Sequence, residues 1–243
     1  MITNRKAATL LLLALTAITI RLARASDEFH VYLPLVAAPE APIPFGPIHS
    51  GEGTYYDATG AGNCGFPATP DDLMVAALNT ADYANAAYCG AYVQVNGPDG
   101  AVIVRIVDSC PTCALGDVDL SLEAFAHIAD PVAGRVPITW QLVSYPLAGP
   151  IVYHFKDGSN QWWTAVQIRN HRGPIVSVEW LDGGGVYHAI PRTSYNYFVA
   201  NNGLGPGPYT FRVTDYFGNT LVDSNIPHIE NGDVPGSGQF PPP

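Results

Sequence analysis

Positive charge is scarce in this chain. It holds 11 lysine and arginine residues against 21 aspartate and glutamate residues, which gives a net charge of −10. Four of the basic residues, Arg5, Lys6, Arg21 and Arg24, precede the cleavage site predicted below, and no acidic residue does. The remaining seven basic residues against 21 acidic ones give −14. Such a surface repels polyanions, so nucleic acid is excluded as a partner, whereas a neutral polymer is not repelled.

Long apolar runs are also rare, and the one present lies at the start. Two basic residues precede an apolar run over residues 7–20, and the small residues Ala23 and Ala25 come just before Ser26. This pattern predicts a signal peptide over residues 1–25. An uncleaved anchor is the alternative, but a bilayer needs about 20 apolar residues. We expect a secreted, extracellular protein with no membrane segment in its mature form.

Cysteine is limited to four residues, namely Cys64, Cys89, Cys110 and Cys113. In an exported protein an even number of cysteines indicates disulfide bonds, and four cysteines allow three pairings. A zinc site is the alternative, but two of the four are isolated and no HxxxH pattern accompanies them. The sequence also lacks a phosphate-binding loop and an HExxH motif, so we expect no metal and no cofactor.

Turn residues divide the rest of the chain. Residues 26–47 are rich in proline and alanine and are predicted to form a linker. In residues 48–146, two alternating runs flank the turn at 96–100 and predict a β-hairpin. The stretch at 71–89 is predicted to contain a short helix, and a second helix is predicted to begin after Ser121 as its N-cap. The run "PITWQLVSYPL" is predicted to close this domain as a strand.

Residues 147–230 show a different pattern, because helical signals disappear. Six short runs of strand-forming residues follow one another with turn residues between them, which is typical of a β-sandwich. Residues 231–243, which include "PGSGQFPPP", are predicted to be a disordered tail. The chain is therefore expected to hold two domains of ordinary size.

Three stretches of the first domain together resemble the expansin family, in its bacterial and loosenin-like branch: "GEGTYYDATGAGNCGFP", "VDSCPTC" and "GDVDLSLEAF". In the second domain "KDGSNQWWTAVQIRNH" is similar to the family's cellulose-binding module. The resemblance implies an all-β fold. A six-stranded double-psi β-barrel, shared with family 45 endoglucanases, would be followed by an immunoglobulin-like β-sandwich.

The resemblance also implies a polysaccharide groove in the barrel. It would include Thr54 and Tyr55 from the "GTYY" stretch, with Asp108 and Asp119 as the acidic residues. Asp119 matches the general acid of the endoglucanases, and its apolar neighbours favour a desolvated, protonated carboxyl. The simpler alternative is that Asp108 caps a turn and Asp119 caps the helix that follows.

The loop that carries the catalytic base in those endoglucanases has no evident counterpart. Inverting hydrolysis needs two carboxyl groups about 6.5–9.5 Å apart. We therefore expect a protein that loosens its substrate without cutting it and is not an enzyme. A lytic transglycosylase or weak endoglucanase that uses Asp119 is one alternative, and a binding protein without loosening activity is another.

The "CPTC" stretch departs from many bacterial expansins, which place an aromatic residue where Cys110 stands. A redox-active pair is one interpretation, because this spacing can lower a thiol pKa. A short Cys110–Cys113 disulfide in a secreted loop is the interpretation we favour, with Cys64–Cys89 as the second bridge.

Two adjacent tryptophans, Trp162 and Trp163, are unusual in a strand, because neighbouring side chains point to opposite faces. The resemblance implies that both join Tyr195 and Lys156 in a polysaccharide-binding platform, made possible by the turn residues before them. A core role for one indole is the alternative. The other two tryptophans, Trp140 and Trp180, are predicted to lie in the cores.

These residues predict a monomer that binds cellulose or another insoluble β-glucan. Xylan and peptidoglycan are further candidate ligands.

Overall fold

A computed structural model of the protein describes residues 40–243. The predicted signal peptide and the first part of the predicted linker, residues 26–39, lie outside the described residues. Within the described part, the strands form a closed barrel followed by two four-stranded sheets. This confirms the predicted all-β fold of a double-psi β-barrel and a β-sandwich.

The barrel is closed by six strands in the order β1-β5-β2-β4-β3-β6. Two neighbouring pairs, β1 with β5 and β2 with β4, are parallel, and the other four are antiparallel. Closure leaves no free sheet edge, and alternate side chains fill the interior. The strands are β1 Ile43–Tyr56, β2 Val75–Asn79, β3 Tyr92–Asn96, β4 Ala101–Cys110, β5 Val118–Ser121 and β6 Val136–Ser144.

Helices in the barrel domain are single turns. They are α1 Thr80–Tyr83, α2 Leu122–Phe125 and the 3-10 turns Ala84–Ala86 and Pro131–Ala133. The hydroxyl of Ser121 accepts a hydrogen bond from the backbone N–H of Ala124 at 3.0 Å, which confirms Ser121 as an N-cap. The prediction of a helix is wrong for the first half of the stretch 71–89. That segment is the fully buried strand β2, because it pairs with a strand on each side.

The second domain is an antiparallel sandwich of sheets β10-β9-β12-β13 and β11-β8-β7-β14. Large side chains of both sheets, such as Tyr153, Phe155 and Phe211, fill the space between them. The strands are β7 Val152–Phe155, β8 Thr164–Arg169, β9 Ile175–Leu181, β10 Tyr187–Ala189, β11 Phe198–Ala200, β12 Tyr209–Asp215, β13 Thr220–Ile226 and β14 Asp233–Pro235.

Two predicted boundaries are corrected. The linker was predicted to reach residue 47, but β1 begins at Ile43, and Phe45 packs against the barrel core. The predicted tail at 231–243 is not disordered. It contributes β14, which pairs with β7, and it buries Phe240 in the sandwich core. Apolar burial and strand pairing thus extend each domain beyond the segment that composition suggested.

Both disulfide bonds are present, Cys64–Cys89 and Cys110–Cys113. Trp140 lies in the barrel core as predicted, where its indole N–H donates to the Gly116 carbonyl at 2.8 Å. Trp180 is partly buried and packs against the sandwich core. Over residues 40–243, no helix has the length and apolar character that crossing a bilayer requires.

Buried polar contacts join the two domains. The side-chain amide of Gln167 donates to the Cys64 carbonyl at 2.8 Å, and the Arg192 guanidinium donates to the Ala86 carbonyl at 2.8 Å. His171 is buried nearby, with its ring close to Gly90. Because buried polar groups are costly to leave unpaired, these contacts hold the sandwich in one position against the barrel.

Candidate functional site

Asp119 and Thr54 face each other across neighbouring strands. The parallel register of β1 and β5 aligns them, and the Thr54 hydroxyl donates a hydrogen bond to Oδ1 of Asp119 at 2.5 Å. Burial raises the pKa of Asp119 above its ordinary value, and the hydrogen bond from Thr54 opposes part of that rise. Oδ2 of Asp119 has no hydrogen-bond partner among residues 40–243, so it is the oxygen that can carry a proton to a ligand.

Asp108 lies on the other side of strand β2. Ala77 pairs with Asp119 of β5 on one side and with Asp108 of β4 on the other. Paired residues on neighbouring strands share a face, so the two carboxyl groups belong to the same surface of the barrel. The structure therefore brings together Thr54, Asp108 and Asp119, as the resemblance implied.

The Asp108 carboxylate is engaged by the backbone. Its Oδ1 accepts hydrogen bonds from the N–H groups of Asn63 at 2.7 Å and Ser109 at 2.8 Å. The loop approaches so closely that a Cβ on Gly62 would lie 2.5 Å from the Asp108 side chain. The turn-capping role considered for Asp108 is thus present. The capping role considered for Asp119 is not, since Ser121 caps α2.

Tyr55 does not join this group. Neighbouring side chains of a strand alternate, so Tyr55 lies on the face of β1 opposite Thr54. Its ring packs 5.0 Å from that of Phe125, and its hydroxyl donates to the Pro131 carbonyl at 3.3 Å. The prediction of Tyr55 as a groove residue is therefore corrected.

Tyr56, and not Tyr55, lies beside the carboxyl pair, and the sequence analysis missed it. It stands two residues after Thr54, on the same face of β1, and this spacing is the signal that could have identified it. Its buried hydroxyl has no hydrogen-bond partner within the described part of the chain. Burial, then the charges of Asp108 and Asp119, raise the pKa of Tyr56, so its hydroxyl is a protonated donor beside both carboxyl groups.

The Cys110–Cys113 disulfide borders the same site. Both sulfurs and a carboxylate oxygen of Asp119 lie within 4.8 Å of one another. Because the two sulfurs are bonded to each other, they are not thiolate ligands. The disulfide instead supplies an apolar wall beside Asp119, consistent with the burial that raises the pKa of Asp119.

An asparagine turn explains the tryptophan pair. Oδ1 of Asn160 accepts hydrogen bonds from the N–H groups of Trp162 at 2.9 Å and Trp163 at 3.1 Å. Both indoles thus belong to a turn before β8 and not to its regular alternation. Trp162 is 72% exposed, and Trp163 is partly buried.

Three of the four predicted platform residues lie around Tyr197, which was not itself predicted as a site residue. Trp163 packs against the small cluster that contains Tyr197, and the Tyr195 ring lies 5.9 Å from the Tyr197 ring. The Lys156 ammonium lies 5.9 Å from the centre of the same ring. We call Trp162, Trp163, Tyr195 and Lys156 the platform.

The platform and the carboxyl pair are physically linked. The Asn63 side-chain amide donates to the Ser194 carbonyl at 3.1 Å, and the Tyr83 hydroxyl donates to the same carbonyl at 2.8 Å. The backbone N–H of Asn63 donates to Asp108. One residue of the barrel thus contacts both Asp108 and the residue next to Tyr195, and no sequence pattern indicated this contact.

Comparison with known proteins agrees with this architecture. Residues 50–140 match a family model described as lytic transglycolase. Expansin-YoaJ of Bacillus subtilis (strain 168) is 36% identical over 218 residues, which cover 84% of this chain and 91% of that protein. The crystal structure of an expansin from Clavibacter michiganensis superposes with a TM-score of 0.75 at 34% identity. The match covers 81% of this chain and 99% of the crystallised one.

A variant of the Clavibacter expansin, crystallised in complex with cellohexaose, gives a TM-score of 0.76 at 33% identity with the same coverage. Identity of this level over both domains, in the same order, indicates common descent and not only a similar fold. The chain belongs to the expansin family.

Proposed function

We propose that this is a secreted expansin-like protein that binds cellulose or a related plant cell-wall polysaccharide and loosens it without hydrolysis. The observation that carries the proposal is the contact of Asn63 with both Asp108 and Ser194. It joins the exposed platform and the barrel carboxyl pair in one binding surface. The signal sequence pattern and two disulfide bonds support export.

The platform would supply affinity. The faces of glucan rings are rows of C–H bonds, which pack well against indole and phenol rings. Trp162 is largely exposed and Tyr195 is 37% exposed, so both rings can contact a ligand in the folded protein as it stands. The Lys156 ammonium at the edge can donate hydrogen bonds to sugar hydroxyls. Binding of cellohexaose by a Clavibacter expansin variant supports a β-glucan as the ligand.

The barrel would grip a single chain. Asp119, held by Thr54 and protonated over a wider pH range than an exposed aspartate, can donate to a glycosidic or hydroxyl oxygen. The Tyr56 hydroxyl is buried beside the carboxyl pair, and a glucan that displaces its cover would accept a second hydrogen bond from it. Hydrogen bonds to the protein would replace those that the glucan makes to its neighbours in the solid, and the chain would separate from them.

Hydrolysis is not favoured, because one oxygen of the second carboxylate is already used to hold a loop. The Asp108 oxygen that accepts from Asn63 and Ser109 holds the loop at Gly62 in place. An oxygen that already accepts two backbone hydrogen bonds is less available to accept a proton from water. We infer that Asp108 positions the loop and lacks the role of a catalytic base.

One alternative has its own support. A lytic transglycosylase needs only one acid, because a sugar hydroxyl attacks in place of water. The raised pKa of Asp119 and the match of residues 50–140 to the lytic transglycolase model favour this reaction over hydrolysis by an endoglucanase. A protein that only binds polysaccharide would have the platform without activity in the barrel.

Three measurements on the wild-type protein separate these functions. Pull-down on cellulose, xylan, chitin and peptidoglycan identifies the ligand, and cellulose is expected to retain the most protein. Weakening of cellulose paper under load, with no sugar in the supernatant by mass spectrometry, is the expected result. Anhydro-sugars would indicate a transglycosylase, and hydrolysed oligosaccharides an endoglucanase. Binding without weakening would indicate a binding protein alone.

A further inference from the structure

A cleft separate from the carboxyl pair and the platform opens between the two domains. It has a volume of about 220 Å³. The barrel contributes Phe66, Tyr92 and Arg105, and the sandwich contributes Arg169 and His171. Two guanidinium groups in one small cleft are unexpected in a protein with such an excess of acidic residues.

Most other cations of the described chain are already paired. The ion pairs are Arg135 with Glu52, Arg172 with Glu40, and Arg212 with Glu179. Arg192 donates to two backbone carbonyls. Arg105 differs, because no carboxylate of residues 40–243 lies within 4.0 Å of it, and its guanidinium instead lies 5.1 Å from the centre of the Phe66 ring. Its charge is therefore available to a ligand.

Arg169 is only partly neutralised. Its Nε donates to Gln167 at 2.6 Å, and one Nη lies 3.3 Å from Oδ1 of Asp233. That oxygen also contacts the His154 ring at 2.7 Å, so the carboxylate is shared. Burial lowers the pKa of Arg169, and Asp233 and then Tyr197 oppose this, while the charge of Arg105 makes the smallest contribution and lowers it. Both guanidinium groups line the cleft, and the one carboxylate that contacts Arg169 is shared with His154.

The remaining walls resemble a sugar site. The Tyr92 ring stacks on Tyr145 at 4.4 Å, and its hydroxyl makes no hydrogen bond to any group of residues 40–243. Phe66 and Leu147 supply apolar surface. The volume is below the roughly 300–1,000 Å³ of pockets for drug-sized ligands. A ligand of about one ring is therefore the appropriate size.

We propose that this cleft binds a hexuronate unit, a sugar ring that carries a carboxylate. Guanidinium groups present paired N–H donors that match a carboxylate, and aromatic faces pack against sugar C–H groups. The two kinds of group occur together here. The site does not depend on the function proposed for the platform and the barrel carboxyl pair.

Calorimetric titration of the secreted protein at low salt tests the proposal with three probes. D-galacturonate is expected to bind, D-galactose tests the need for the carboxylate, and acetate tests the need for the ring. Galacturonate should bind at least tenfold more tightly than either of the others. Equal binding of galactose, or of acetate, would overturn the hexuronate assignment.

Variants locate the site. Arg105→Gln should weaken galacturonate binding about tenfold or more, and Arg105→Lys, which keeps the charge but loses the paired donors, should weaken it in part. Arg212→Gln removes the same charge on a distant strand and should leave binding unchanged. Cellulose pull-down should be the same for all of these proteins. Galacturonate affinity unaffected by either Arg105 variant, or equally reduced by Arg212→Gln, would overturn the proposal.

Discussion

The side-chain amide of Asn63 in the barrel donates a hydrogen bond of 3.1 Å to the backbone carbonyl of Ser194 in the sandwich. Its own backbone N–H donates to Asp108 at 2.7 Å. Asn63 therefore connects Asp108 of the carboxyl pair to the loop that carries Tyr195 of the platform. A loosening mechanism that uses both domains on one glucan requires such a connection.

Replacement of Asn63 should separate binding from loosening. In Asn63→Ala the contacts to Ser194 and Tyr83 are lost, while the platform residues are untouched. We expect a loss of about 1 kcal/mol in unfolding free energy, nearly unchanged cellulose pull-down, and weaker action on cellulose paper. Asn96→Ala, an exposed asparagine of the β3–β4 hairpin, is the control. Full paper weakening by Asn63→Ala would show that the linkage is not needed.

Trp162 should contribute affinity without contributing stability. Its side chain is 72% exposed, so Trp162→Ala removes little buried surface. Aromatic residues at the centre of a binding surface commonly contribute about 2 kcal/mol or more, and cellulose affinity should fall about 30-fold. Thermal unfolding should be unchanged. Tyr187→Ala, an aromatic residue on the other sheet that contacts Arg212, should bind cellulose like the wild type. Equal losses from both substitutions would contradict the platform.

Tyr56→Phe tests the donor that was found only in the structure. The Tyr56 hydroxyl is buried without a partner in the described part of the chain, so its removal should leave unfolding free energy unchanged or raise it by up to about 1 kcal/mol. Paper weakening should fall, because a glucan that enters the groove would uncover this hydroxyl and accept a hydrogen bond from it. Tyr55→Phe, on the opposite face of β1, should retain full activity. Unchanged weakening by Tyr56→Phe would remove Tyr56 from the groove.

Stability should depend on pH through His171. Burial lowers the pKa of His171 to about 4 from an ordinary value of 6.5. Between these values the unfolded chain binds a proton that the folded protein excludes, so unfolding free energy falls as pH drops from about 6.5 to about 4. The loss is about 3 kcal/mol, and this group adds no further loss below pH 4.

Chemical unfolding at pH 7 and pH 4.5 measures this dependence. His171→Asn keeps a donor for the Gly173 carbonyl. It should be less stable than the wild type at pH 7 but should lose less stability at pH 4.5. His127→Asn, at an exposed histidine, should keep the wild-type dependence. An identical loss in His171→Asn and the wild type would assign the pH dependence to other groups.

The features predicted well from the sequence were local. The turn at 96–100 joins two paired strands, and the Ser121 cap begins α2 where its hydroxyl can accept from the helix. The adjacency of Trp162 and Trp163 indicated a departure from regular strand alternation, and the turn at Asn160 provides it. Each of these features depends on a few neighbouring residues, so it can be predicted without knowledge of tertiary contacts.

The features that were missed depend on distant partners. Val75–Asn79 has the small apolar residues of a helix, and pairing with β4 and β5 makes it a strand. Asp233–Pro235 and Phe240 looked like a tail, but β7 and the sandwich core order them. Asn63 is an ordinary loop residue until the second domain is placed beside it.

Asp119 provides the most direct test of the central claim, which is weakening without cleavage. Wild type, Asp119→Asn and Asp119→Ala are applied to cellulose paper under load, and the same supernatants are analysed by mass spectrometry. We expect weakening by the wild type, less by Asp119→Asn, which keeps shape and a donor, none by Asp119→Ala, and no sugars from any of them. Release of anhydro- or hydrolysed sugars by the wild type but not by Asp119→Ala would contradict the account and identify an enzyme.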